Sequence, residues 1–122
     1  MARVLALLDD LLFGSRLQSA LAAGGHEVEL IRSRARLEQR LAELPPDAAT
    51  VLVIDLTDVQ LGGVELVQEL ARERPAGVRT LGFYAHVDAS TRERAERAGF
   101  DRVVPRSRMA REGAELVASL AG

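Results

Sequence analysis

The sequence predicts an α/β fold: a doubly wound, five-stranded parallel sheet of the (βα)5 type, covered by helices on both faces. Three observations predict it. Apolar runs of strand length alternate with helix-period segments along the whole chain of 122 residues. Two of those runs, Val4–Leu8 and Val51–Leu56, are close to continuously apolar, as strands buried on both faces must be. The connections are short, and a strict βαβαβαβαβα order then implies parallel strands joined by right-handed crossovers.

Each element has its own justification. After the first strand, Leu12–Ala23 reads as a helix with Leu17, Ala20 and Leu21 on one face, stopped by Gly24-Gly25. Glu27–Ile31 alternates Val28 and Leu30 with Glu27 and Glu29, the pattern of an edge strand with one wet face. Arg34–Glu43 carries Leu37 and Leu41, with Leu44 just beyond, and Pro45-Pro46 blocks its continuation. The third strand, Val51–Leu56, leads to a helix over Val64–Arg74 that turns Leu66, Val67 and Leu70 inward and stops before Pro75. Val78–Tyr84 is the fourth strand. Ser90–Ala98 opens on a capping box, with Ser90 three residues ahead of Glu93. Asp101–Val104 and a last helix, Arg111–Leu120, complete the chain, with Leu116, Val117 and Leu120 inside. No repeat, low-complexity tract or interior linker interrupts it, so residues 1–122 read as one domain.

Composition removes several function classes. A net charge of -2 lacks the basic excess of nucleic-acid-binding domains, and three Phe with one Tyr are too few for a base-stacking surface. Without cysteine there are no disulfides, thiolate metal sites or cysteine nucleophiles. Two histidines, His26 and His86, do not make a structural zinc set. No apolar run reaches the ~18 residues of a membrane span. The opening Met1–Leu8 meets Asp9 and Asp10 too soon for a signal peptide, so a soluble, cytoplasmic protein without membrane contact is expected. All 16 basic residues are arginine, so no chemistry that needs an amine side chain occurs here. Dinucleotide, P-loop and nucleophile-elbow signatures are missing.

In an open parallel sheet, ligands bind beyond the carboxyl ends of the strands. There the sequence places Asp9 and Asp10, then Asp55 with Thr57 and Asp58, then Tyr84, Ala85 and His86, and finally Arg106 with Ser107. Crowded carboxylates raise one another's pKa unless a cation neutralises them. Mg²⁺ binds through one or two carboxylates, and an aspartate beside it can attack a phosphoryl group. The plainer reading is that Asp9 and Asp10 cap the first helix.

The segments VLALLDD, VLVIDLTDVQLGGVEL, LGFYAHVD, AERAGFDRVV and PRS, in this order over the full length, resemble the receiver domains of two-component response regulators. Gly62-Gly63 and the step Ala98-Gly99-Phe100-Asp101 carry much of that likeness. The resemblance implies the flavodoxin-like strand order 2-1-3-4-5 and a role in signal relay. It would make Asp55 the phosphoacceptor, Asp9 and Asp10 the acidic pair for Mg²⁺, and Thr57 a backbone carbonyl ligand. The departures are specific. Where receivers carry a lysine after the fifth strand, this chain has Arg106, larger and forked. Where they carry Ser or Thr after the fourth strand, it has Tyr84 or Ala85, depending on the direction of counting. Counting back from Gly25 puts Leu8 and Asp9, rather than Asp9 and Asp10, at the acidic pair.

The sequence therefore favours a pseudo-receiver: a stand-alone signalling module that binds another signalling protein, a kinase or an output protein, with its phosphorylation switch lost or altered. Its expected partner surface is the fourth helix, fifth strand and fifth helix, where Arg102, Arg108 and Arg111 cluster; a homodimer would use the same face. A working single-domain regulator phosphorylated on Asp55 is the alternative. A small hydrolase or enzyme subunit ranks third, since no general base has a partner. For His86 and for Arg32, Arg34, Arg36 and Arg40, solvent-exposed surface is the simpler expectation, and His26, after the Gly-Gly stop, is expected to have no role.

Overall fold

Five strands and five α-helices alternate in the computed structural model of the chain, which describes residues 2–45, 48–73 and 75–121. They are β1 (Arg3–Leu7), α1 (Leu11–Ala23), β2 (Glu27–Ile31), α2 (Arg34–Glu43), β3 (Thr50–Asp55), α3 (Gly63–Glu73), β4 (Val78–Tyr84), α4 (Ala89–Ala98), β5 (Arg102–Pro105) and α5 (Arg106–Ala121). A short 3-10 turn, Val59–Leu61, joins β3 to α3. All strand pairs are parallel and the order is β2-β1-β3-β4-β5, the doubly wound, flavodoxin-like sheet expected. Pro46, Arg74 and Met1, used above as a helix stop, a helix end and a chain start, lie outside the described residues.

Strand alternation divides the core into two layers. Leu5, Leu7, Leu52 and Ile54 face Leu37 of α2, Leu66 and Val67 of α3, and Ala95 and Ala98 of α4. Val4, Ala6, Val51, Val53, Leu81 and Phe83 face Leu17 and Leu21 of α1 and Met109, Leu116 and Val117 of α5. The central β3 is buried at every residue, which explains its unbroken apolar run. The outer β2 is half-buried, as its alternation required. At the other edge Pro105, lacking an N–H, ends β5 where a missing ladder donor does least harm.

Several sequence expectations need correction. On α1 it is Gly14, not Ala20, that joins Leu17 and Leu21 at the interface; Ala20 is exposed. Gly14 faces Leu8 and Leu30 there, a contact that a hydropathy pattern does not register. The cap of α4 is Asp88 rather than Ser90: its carboxylate accepts the Thr91 N–H at 3.0 Å and the Thr91 hydroxyl at 2.5 Å. The last helix starts at Arg106, five residues earlier than predicted, and runs through a kink at Glu112 (φ -124°, ψ 16°). Met109, in the turns ahead of the predicted start, is fully buried. Asp101 lies just before β5, where its carboxylate accepts the Thr80 N–H at 2.7 Å and its own N–H donates to Thr80 Oγ1 at 3.0 Å.

Candidate functional site

Asp55 closes β3 one step past Ile54, which pairs with Leu7, and stands opposite Phe83 of β4. Alternation aims it, with Val51 and Val53, at the α1/α5 side of the sheet. The residue is only 4% exposed. Burial pushes its carboxyl above the ordinary carboxylate range, against the pull of hydrogen bonds from Thr57 and of the Arg106 charge. Thr57 holds one oxygen twice: its N–H donates to Oδ1 at 2.8 Å and its hydroxyl at 2.6 Å. The other oxygen accepts no hydrogen bond among the described residues. Because no unpartnered side-chain oxygen there is fully buried, Oδ2 opens to solvent at the mouth of the site.

The two aspartates after β1 do different things. Asp10 caps α1, with Oδ1 accepting the Phe13 N–H at 3.0 Å, as the plainer reading of the sequence had it. Its Oδ2 accepts from Arg106 Nη2 at 2.8 Å. The Phe13 backbone bond first, and Arg106 second, hold this carboxyl below its usual range. Asp9 turns instead toward Arg32, just past β2, whose Nε donates to Oδ1 at 2.7 Å. Leu8, the other residue that counting offered for the acidic pair, is buried in the core.

Arg106 joins these parts. As the first residue of α5 it follows Pro105, and its guanidinium carbon lies 4.3 Å from the centroid of the Phe13 ring. Phe13 in turn packs on Phe83 at 5.1 Å between centroids. The arginine is thus held by a carboxylate, by a ring and by its backbone. At the end of β4, Tyr84 is buried in the α2–α3–α4 layer, away from Asp55. Ala85, the next residue, brings no hydroxyl.

Three carboxylates therefore share one edge of the sheet, yet they do not converge on one point. Among the described residues no three His, Asp or Glu side chains form a metal-holding group. Asp10 has both oxygens engaged and Asp9 has one on Arg32, so the donor set does not fit a divalent ion as arranged. Asp55 Oδ2 and the second oxygen of Asp9 accept no hydrogen bond among the described residues.

The expected partner arginines differ among themselves. Arg108 and Arg111 share Glu112, at 3.5 and 3.7 Å, while Arg102 makes no ion pair among the described residues. Around α2, Arg34 bridges Glu38 and Glu69, and Arg40 bridges Glu29 and Glu43, which fits the solvated-surface expectation. His86 is exposed, as expected. His26, expected to have no role, is buried and ties two segments together, its Nδ1 accepting the Ala2 N–H at 3.1 Å and its Nε2 lying 3.1 Å from the Ala114 carbonyl. Sequence reasoning also missed Phe13, the pairing of Arg32 with Asp9, and the exposed Leu11, Leu12, Val59 and Val87 beyond β1, β3 and β4. The signal was apolar residues at the first turn of a helix and in connections, where polar residues are the rule. A hollow of about 590 Å³ between α2 and α3, lined by Leu41, Leu66 and Leu70, does not include these residues. No described helix is long and apolar enough to cross a membrane.

No family model and no curated protein sequence matches the chain. Solved structures do. A receiver domain from Bermanella marisrubri superposes with a TM-score of 0.84 at 17% identity, covering 100% of both chains. A putative response regulator from Chloroflexus aurantiacus gives 0.83 at 21%, covering 98% of this chain and 97% of that one. The receiver domain of the putative regulator NarL from Mycobacterium tuberculosis gives 0.79 at 22%, over 98% and 95%. The fold is that of a response-regulator receiver domain.

Proposed function

We propose that the chain is a receiver-type signalling module that acts by binding another signalling protein, and that its phosphorylation switch is altered. The observation that carries this reading is the Arg106–Asp10 ion pair. A guanidinium stands where the resemblance calls for a lysine, and it is committed to a carboxylate before any phosphoryl group arrives. Ala85 adds no hydroxyl to the pocket. For binding, the exposed Leu11, Leu12, Val59 and Val87 offer apolar contact of a kind that protein partners cover, and Arg102 on the β5 edge offers charge. A kinase or an output protein is the expected partner.

One observation favours the second reading, a working regulator phosphorylated on Asp55: Oδ2 of that residue is open and its neighbours hold the carboxylate in place. Beryllofluoride, a phosphoryl mimic, separates the two. With millimolar Mg²⁺ it should leave the melting temperature of the wild-type protein unchanged. A rise that disappears in Asp55→Asn would establish the second reading instead. Hydrolysis is least supported, since His26 is committed to two backbone groups and His86 has, among the described residues, no partner that would make it a base.

A further inference from the structure

Asp9, Asp10 and Asp55 sit at one sheet edge, and negative charges so placed need a positive one. A bound cation is one solution. This chain contains another. We infer that the Arg106 guanidinium takes the place of a divalent cation, so that the pocket neutralises itself and binds such ions poorly. The inference rests on the reading of this edge as a receiver pocket, and deepens it by naming what replaces the metal.

Four observations support it. Arg106 Nη2 donates to Asp10 Oδ2 at 2.8 Å, while Asp10 Oδ1 is used by the Phe13 N–H, leaving neither oxygen free. Arg32 holds Asp9 at 2.7 Å, so the second carboxylate is also turned to a guanidinium. The Arg106 head group rests 4.3 Å from the Phe13 centroid, and Phe13 is backed by the buried Phe83, so the cation has a seat and not just a tether. Its positive charge also reaches Asp55 and opposes the effect of burial there. A guanidinium does not deprotonate in proteins, and it forms directed bonds where a metal ion would need several oxygens arranged around it. Each exposed ion pair alone is weak. Together with the ring contact, the fixed backbone and the charge that an incoming ion must face, they disfavour metal entry.

The test uses Mn²⁺ as the probe, followed by paramagnetic relaxation and melting temperature on the whole chain. Wild type should show weak binding. Arg106→Met should bind Mn²⁺ at least about tenfold more tightly, the scale of 1.4 kcal/mol. Adding Asp10→Asn to that variant should abolish the gain. Circular dichroism checks that each variant is folded; if Arg106→Met is not, Arg106→Gln serves the same purpose, with the same expected gain. Equal Mn²⁺ affinity in wild type and a folded Arg106 variant would overturn the inference, as would a gain that survives Asp10→Asn. Should wild type ignore beryllofluoride while the variants gain nothing, the self-neutralised pocket fails and the altered-switch reading stands. A wild-type response to beryllofluoride would count against that reading first.

Discussion

At the scale of single residues, Asp55 is the point where physical chemistry is most constrained. A carboxylate at 4% exposure keeps two Thr57 donors and still has its pKa raised, because loss of water outweighs them. Its folded-state pKa lies above the unfolded one. The stability it contributes is therefore fully present below the unfolded pKa and is lost as pH rises through the folded value. Asp55→Asn keeps an acceptor for Thr57 and removes the charge. It should raise the melting temperature by a few degrees at neutral pH, and the advantage should shrink as the solution is acidified. Melting curves of both proteins across pH would check this; an advantage that grew toward acid would contradict it. Asp55 was legible in the sequence because a lone aspartate ends an apolar run. The pairing of Asp10 with Arg106 was not, since the two lie 96 positions apart and nothing local announces the contact.

At the scale of elements, the sequence reading recovered each strand and helix, with β2, α2 and β4 matching at both ends. Strong periodicity and Gly or Pro stops made this possible. The errors fell where local pattern competes with tertiary contact. Ser90 looked like a cap, but Asp88 accepts two bonds from Thr91 and starts α4 earlier. The start of α5 was hidden because its arginines are answered by Asp10 and Glu112 rather than by water alone. Glycines mark close approaches that periodicity misses. A side chain on Gly82 would place its Cβ 2.8 Å from Leu56 Cδ1 and 2.9 Å from Phe100 Cε2. Both are buried, so neither can move far. Gly82→Ala should cost roughly 1–3 kcal/mol by overpacking, read from chemical denaturation. An unchanged midpoint would mean that β4 and the α4–β5 connection yield more easily than their packing implies. Gly99 shows the other use of glycine: at φ 108° it ends α4 in a conformation that side chains resist, and it directs Phe100 into the core.

At the scale of the molecule, a parallel doubly wound sheet brings the ends of β1, β3, β4 and β5 to one edge, where Asp9, Asp10, Asp55 and Arg106 lie. The same topology lets His26 tie the start of β1 to α5, at sequence separations of 24 and 88, which is why a histidine that looked incidental is structural. Fold and pocket location were readable from order and spacing; the charge balance of the pocket was not, because it depends on which side chains meet. If the switch is altered as proposed, no phosphoryl signal should pass from Asp55 to the α4–β5–α5 face of this receiver-type fold. The most direct measurement is the amide spectrum of the isotopically labelled protein with and without acetyl phosphate and Mg²⁺. The account predicts that resonances of α4, β5 and α5 stay in place. Shifts across those elements that disappear in Asp55→Asn would contradict it.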